Sequence, residues 1–381
     1  MSRTETLIIG GGPAGLASAA CLRMRGLPFT LVEQADVVGS SWHRAYDRLH
    51  LHTPRRNSTL PFLPFPPGTP RYPSRKDVID YLNTYMRHFR IEPLLGYRVS
   101  EIRRDTDGWV AQSATDRIHA RRIIVATGVN AVPQLPSWPG RERFRGEIIH
   151  SSDYRNGEPF SGRRVLVVGF GNSAGEIAVD LHSHGAGVAL AVRGPVNVVP
   201  RDILGLPIVS VATALSPLPP RLGDAVSRPL VRLVIGDIGR LGLRESARGP
   251  LTEIAAHGRI PLLDHGTLRL IRAGKVEVLG EVTGLDETRV HFRDGSSHEV
   301  DAIVAATGFR SGLEQLLEPA ERPGPRGNAP DNAAAGRSLY FCGFAVTATG
   351  MFREIGIEAR RIANQIAHDV QAEPFTVRSV S

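Results

Sequence analysis

Two glycine turns hold the residues best suited to chemistry in this chain of 381 residues. In "TLIIGGGPAG", Gly10, Gly12 and Gly15 follow a β-branched run, and Pro13 and Ala14 open the segment after it. In "VLVVGFGNSAGE", Gly169, Gly171 and Ala174 stand in the same places, with Asn172, Ser173 and Glu176 alongside. A strand feeding such a turn and then a helix aims backbone N–H groups and a positive helix end at a pyrophosphate. The first glycine permits the tight bend, the second lets the phosphates approach the backbone, and the third lets helix and strand pack closely. Two such units imply two dinucleotides.

Residues further on discriminate between them. Glu33 ends the strand after the first turn, 18 residues beyond Gly15. That is close to the roughly 20 expected for a carboxylate that accepts from ribose hydroxyls. The matching strand of the second unit, "VALAVR", ends on Arg193. A carboxylate there would repel a 2′-phosphate, whereas a guanidinium binds one bidentately, so the second site is expected to take NADPH. A chain with its own NADPH site gains little from a second nicotinamide, and FAD is therefore expected at the first. The stretch "GSSWHRAYDRLHLHTP", rich in small residues and rings, has the character of a flavin-embracing loop. Gln34, Ser41, Trp42, Leu51, Val99 and Gly343 complete the expected flavin-side set.

The elements that must position these residues form a long internal repeat. In the first half the βαβ unit gives way to "VSEIRRD" and "GWVAQSA", then closes on Ala126, Thr127 and Gly128. The second half passes through "KVEVLGEV" and "TRVHFRDGSSHEV" to Ala306, Thr307 and Gly308. Periodicity and turn residues thus predict an α/β protein of two Rossmann-like domains, each with a small antiparallel meander. The second is expected to be inserted into the first. Residues 1–159 and 306–381 would form the FAD-binding domain, completed by "SLYFCGF" and an amphipathic helix with Ile355, Ala359, Ile362 and Ile366 on one face. Residues 160–305 would form the NADPH-binding domain, carrying a proline-punctuated lid at about 203–260.

Composition narrows the partners. The net charge of +8 is almost all arginine, since Lys76 and Lys275 are the only lysines, and it is scattered rather than striped. That argues against a nucleic-acid partner. Cys21 and Cys342 are the only cysteines and form no Cys-x-x-Cys pair, which argues against a disulfide framework, a zinc site and a dithiol redox centre. No metal site is expected; His182 and His184 read as a solvated helix end. A first strand begun by about Thr6 leaves no room for a leader, so a cytoplasmic location is expected. The most apolar stretch, from Ile203, is broken by Pro207, Pro217 and Pro219 and is too short for stable membrane insertion, which needs about 20 residues. A homodimer is compatible with this composition.

"FRGEIIHSSDY", Phe144 to Tyr154, matches in full the F-x-G-x-x-x-H-x-x-x-Y fingerprint of the flavin-containing monooxygenases. Type I Baeyer–Villiger enzymes carry tryptophan at its last position. Nearly the whole chain resembles that family, above all its YUCCA-like branch, through "LHTPRRNSTLPFLPFP", "AVRGPVNVVPRDILG" and "ATGFRS". The resemblance implies FAD, NADPH and molecular oxygen: hydride from NADPH reduces FAD, and a flavin C4a-(hydro)peroxide delivers one oxygen atom to a small substrate. It implies that His52 occupies the place of an asparagine near the flavin, as a hydrogen-bonding partner of peroxide or NADP⁺. By the same resemblance His150 organises the NADPH domain. Arg201 is a candidate contact for phosphate or carboxylate. "GFAVTATGMFREIG" departs from the turn that YUCCA enzymes place there, which leaves the substrate open between N- or S-oxygenation and oxidative decarboxylation of an α-keto acid such as indole-3-pyruvate. An NADPH oxidase or a reductase of the same two-domain class is the alternative.

Overall fold

The computed structural model describes residues 2–318, 321 and 338–372. Its first sheet begins with strand β1 (Ser2–Ile9), which feeds helix α1 (Pro13–Arg23) and then β2 (Thr30–Val32). β1 runs parallel to β2, with Leu7 opposite Thr30, and parallel to β5 (Arg117–Val125) on its other side. β3 (Val99–Asp105) and β4 (Gly108–Ser113) form the antiparallel meander that ends in β5. Every residue of α1 from Ala14 to Leu22 is buried. A helix that is apolar all round needs cover on both sides, and here the last helix supplies what the sheet does not.

The second sheet is wholly parallel. Its strands are β6 (Glu147–His150), β7 (Arg164–Val168), β8 (Gly187–Ala191), β9 (Val276–Leu279) and β10 (Ala302–Ala305), in the spatial order β9-β8-β7-β10-β6. Helix α2 (Asn172–Ser183) links β7 to β8. Two details differ from the sequence expectation. "KVEVLGEV" is split: its first half is the parallel edge strand β9, and after Gly280 the chain turns into a separate meander at Val282–Leu285, Arg289–Phe292 and Ser297–Glu299. β6 pairs with β10, so the second sheet takes up chain well ahead of residue 160. A four-residue strand carries no mark of which sheet it will join.

The chain then returns to the first sheet. β11 (Leu339–Phe341) lies parallel to the upper half of β5, whose lower half is already paired with β4. Helix α3 (Met351–Ala372) follows, and Ile355, Ala359, Ile362 and Ile366 are buried with α1 in one core, as their spacing predicts. Residues 1, 319–320, 322–337 and 373–381 of the expected FAD-binding segment lie outside the described residues. The expected lid contains helices at Ile208–Leu215, Pro220–Ile235 and Pro250–His257, and no described helix is long and apolar enough to cross a membrane.

Candidate functional site

The same device shapes both glycine turns. Gly10 has φ +112°, and a Cβ there would lie 2.5 Å from the carbonyl oxygen of Ala126. Gly169 has φ +125°, and its Cβ would lie 2.4 Å from the oxygen of Ala306. Each turn is thus pressed against the Ala-Thr-Gly end of the neighbouring strand, which brings Ala126, Thr127 and Gly128 to the first site and Ala306, Thr307 and Gly308 to the second. A Cβ on Gly15 would sit 1.8 Å from the oxygen of Gly10, the close helix–strand approach expected of the third glycine. Gly12 and Gly171 instead face open space.

At the first turn the N-terminus of α1 is left open. Pro13 occupies the first turn of α1, and no side chain caps its N-terminus. The Thr127 hydroxyl is buried without a partner among the described residues. Such an orphan suits a polar ligand better than an empty fold. Buried Glu33 accepts from Gly11 N–H at 2.6 Å, Ala35 N–H at 3.0 Å and the Ser40 hydroxyl at 3.2 Å. The carboxylate therefore fixes the loop, and its oxygens have lone-pair capacity beyond these three bonds. Gln34 and Ser41 are exposed beside it, while Trp42 and Leu51 pack on the core shared by α1 and α3. Tyr97 N–H donates to the Glu33 carbonyl at 2.9 Å, which holds the chain leading into half-buried Val99 next to this turn. Gly343 has φ +84° and lies against Ala14, where a Cβ would come within 2.8 Å.

At the second turn α2 also starts without a side-chain cap. The Asn172 amide oxygen accepts from Leu263 N–H at 2.8 Å, so this side chain anchors a neighbouring strand rather than facing the turn's open side. Ser173 is half-buried, and Ala174 is fully buried under the helix. Arg193, just beyond β8, is exposed, and among the described residues its side chain has no partner. Arg244, which sequence reasoning did not single out, donates to the Arg193 carbonyl at 3.1 Å and sets a second cation there. His150 accepts from Ser152 N–H at Nδ1 (3.1 Å), while Nε2 donates to the Gly308 carbonyl (3.1 Å) and the ring meets Phe309 edge-on. It ties the end of β6 to Gly308, just beyond β10.

Around His52 the fold assembles a cluster of which one member, His265, no sequence signal announced. Half-buried His52 places Nδ1 2.9 Å from Nε2 of His265, a residue 213 positions away. Arg201 reaches the other nitrogen, Nδ1 of His265, at 3.1 Å. The Arg201 guanidinium is itself fixed by the Asp202 carboxylate at 3.1 Å and by lying 4.3 Å over the Tyr72 ring. Buried Glu176 accepts from Tyr46 O–H at 2.6 Å, and its other oxygen stands 4.0 Å from His52 Nδ1. His265 sits on a rigid turn: Asp264 accepts from Gly266 N–H and Leu268 N–H at 3.2 and 3.0 Å. Thr53, next to His52, packs beneath Gly350 of the "GFAVTATG" loop, where a Cβ would come within 3.0 Å.

His52, Glu176 and His265 bring ligand-type atoms within 4.8 Å of one another. A metal on Nε2 of His265 would push the ring proton to Nδ1, straight at the donor N–H of Arg201. As bonded here, His265 keeps its proton on Nε2, so that atom is engaged with His52.

Burial first, and then His265 and Arg201, push His52 down to about 3; burial, then Arg201 and Arg48, push His265 down to about 4. Burial pushes Glu176 up to about 7 despite the hydrogen bond from Tyr46. Near neutrality the imidazoles are uncharged, so His52 and Glu176 form no ion pair. The linkage signs oppose each other. The histidines contribute stability above their ordinary 6.5 that is lost as pH falls toward 4 and 3, whereas Glu176 contributes stability below 4.5 that is lost as pH rises through 7. Two imidazoles outweigh one carboxyl, so Tm should fall between pH 6.5 and 4.5. A His52→Gln/His265→Gln variant should show a visibly shallower fall in thermal melts; parallel profiles would refute this assignment.

Residues 7–202 match the family described as pyridine nucleotide-disulphide oxidoreductase. Indole-3-pyruvate monooxygenase YUCCA1 of Oryza sativa subsp. japonica is 42% identical over 319 residues, covering 82% of this chain and 79% of that protein. Among solved structures, a flavin-containing monooxygenase from Stenotrophomonas maltophilia superposes with a TM-score of 0.74 at 22% identity, covering 97% of this chain and 100% of that one. The bacillithiol disulfide reductase Bdr from Staphylococcus aureus follows at 0.68 and 16%, over 97% and 99%. At such identities both structures speak for the fold alone. Disulfide chemistry finds no footing here: Cys21 and Cys342 are free and buried, and burial raises both thiols, Cys21 to about 11. With two nucleotide turns, no dithiol, and a plant relative matching at 42% across most of its length, the chain belongs to the YUCCA-type flavin monooxygenases and is an oxidoreductase that works with FAD and NADPH.

Proposed function

We propose that this enzyme oxidatively decarboxylates a small α-keto acid of the indole-3-pyruvate class. The balance is R–CO–COO⁻ + O₂ + NADPH + H⁺ giving R–COO⁻ + CO₂ + H₂O + NADP⁺. The observation that carries the reading is the sequence identity to indole-3-pyruvate monooxygenases over most of the chain. A second supports it: Arg48 and Arg201 both act electrostatically on His265 and Glu176, so the region around His52 carries a positive field suited to a carboxylate.

The residues at the first turn, Gly10 to Gly15, with Glu33, Thr127 and Gly343, hold FAD; those at the second, Gly169 to Ala174, with Arg193 and Gly308, hold NADPH. Residues 1–159 with 306–381, and 160–305, are the corresponding domains, with β6 lent to the second. Once bound, the two cofactors supply hydride transfer and the reductive activation of oxygen. The chain's own part is to orient and to exclude water. His52 donates a hydrogen bond to the oxygen-derived group or to the nicotinamide. The segment from Asp202 covers the site, tied across to the first domain by Tyr72 O–H to Asp202 at 2.6 Å and Arg71 to the Gly205 carbonyl at 2.7 Å. In the same reading the enzyme works in the cytoplasm, and neither monomer nor homodimer changes its chemistry.

The test is stoichiometry. NADPH added without oxygen should bleach the flavin spectrum of the purified protein. In air with indole-3-pyruvate, one indole-3-acetate and one CO₂ should form for each NADPH. Hydrogen peroxide equal to the NADPH consumed, with no acid formed, would assign the protein instead to the NADPH oxidases.

A further inference from the structure

We propose that Arg201 and His265 are positioning residues that fix the tautomer of His52, so that His52 faces the bound cofactors as an Nε2–H donor. The recipient of that N–H rests on the reading above; the tautomer itself does not.

Three facts of hydrogen bonding compel the arrangement. A guanidinium has N–H donors and no acceptor, so Nδ1 of His265, 3.1 Å from the Arg201 nitrogen, must accept. A neutral imidazole carries one proton, and that of His265 is therefore on Nε2. Nε2 lies 2.9 Å from Nδ1 of His52, so His265 donates and His52 Nδ1 accepts. The remaining proton of neutral His52 is on Nε2, which has no hydrogen-bond partner among the described residues. The reverse arrangement would point two N–H groups at each other between His265 and Arg201, or leave His265 without a proton.

Neighbouring groups do not compete. Glu176 is 4.0 Å from His52 Nδ1, beyond hydrogen-bond reach, and its other oxygen is engaged by Tyr46. Each link is held from outside the chain of bonds: Arg201 by Asp202 and Tyr72, and His265 by the Asp264 turn and by Asn172, whose oxygen holds Leu263 N–H. Burial keeps both rings neutral near pH 7, the state in which a tautomer is defined. The two ends of this device come from different domains, since His52 lies in the loop after Glu33 and Arg201 and His265 lie beyond β8. The polarity of His52 is thus set by residues of the second nucleotide-binding segment.

The experiment uses FAD-loaded enzyme labelled with ¹⁵N-histidine, with His52 resonances assigned by their loss in His52→Gln. Long-range ¹H–¹⁵N correlation should show Nε2 protonated and Nδ1 bare. In His265→Leu the two tautomers should mix, and the fraction of NADPH electrons released as peroxide should rise several-fold while the rate of flavin reduction stays within about twofold. His265→Gln should restore both readouts, because its amide oxygen accepts from Arg201 and its NH₂ donates to His52. A wild-type His52 protonated on Nδ1 would overturn the proposal, and so would an unchanged tautomer in His265→Leu. The wild-type spectrum decides the first point even if the leucine variant does not fold. If no variant forms acid product while the tautomer holds, the substrate reading fails and this one stands.

Discussion

Gly12→Val is expected to give a protein that folds and melts like the wild type but purifies without flavin. Gly12 has φ −80° and ψ −172°, extended backbone that valine adopts readily, and a Cβ there meets nothing within 4 Å. The substitution therefore costs the empty fold little, about 1 kcal/mol for placing a poorer capping residue at the helix N-cap. What it blocks is the approach of a pyrophosphate to the N–H groups that open α1. Charge-assisted hydrogen bonds contribute about 1.5–3 kcal/mol each, so losing two lowers FAD affinity roughly a hundredfold or more. Gly171→Val makes the complementary case: its Cβ position is equally open, and that variant should keep its yellow colour while losing reduction by NADPH. Gly15→Ala is the contrast, since its methyl collides with the Gly10 carbonyl and should destabilise the protein itself. Titrating FAD into each variant by flavin fluorescence, beside thermal melts, separates these effects. A Gly12→Val enzyme that purifies with full flavin would remove the first turn from the flavin site.

What the sequence disclosed and what it withheld divide along a physical line. Turn chemistry is local, so the roles of Gly10, Gly12 and Gly15 could be read from spacing, and the turn at Gly169 could be recognised as the same device. The buried face of α3 was legible for the same reason, because its period repeats within one helix. Pairings between distant segments were not legible. "EIIH" has the composition of a strand, but nothing in four residues says that it will lie beside Ala302–Ala305. His265 is a lone histidine in "LDHG", with no metal spacing or motif to mark it. Only the tertiary fold brings it to His52 across 213 residues. Arg201 was noticed as a candidate contact for a phosphate or carboxylate, yet its contacts with Tyr72 and His265 depend on distant segments meeting. Glu33 was identified for its charge and position, whereas its grip on Gly11 N–H needed the loop to be seen closed.

Arg193→Ala should raise the KM for NADPH roughly tenfold to a hundredfold, the range expected for losing a charge-assisted contact to a phosphate. The KM for NADH should change by less than about twofold, because the two cofactors differ only in the 2′-phosphate, and kcat should hold because the hydride leaves from the far end of the molecule. The side chain stands free at the end of β8, with no partner among the described residues to be orphaned by the change, so stability should be unaffected. Arg244 sets the upper bound. Bonded to the Arg193 carbonyl at 3.1 Å, it leaves a second guanidinium near the same phosphate, and Arg193→Ala/Arg244→Ala should cost more than either single change. Both arginines are exposed, so added salt should weaken NADPH binding in the wild type and do so less in the double variant. Steady-state kinetics with both cofactors at two ionic strengths decides the matter: equal losses for NADPH and NADH would mean that Arg193 supports the fold or the shared ADP moiety, and that the 2′-phosphate is read elsewhere.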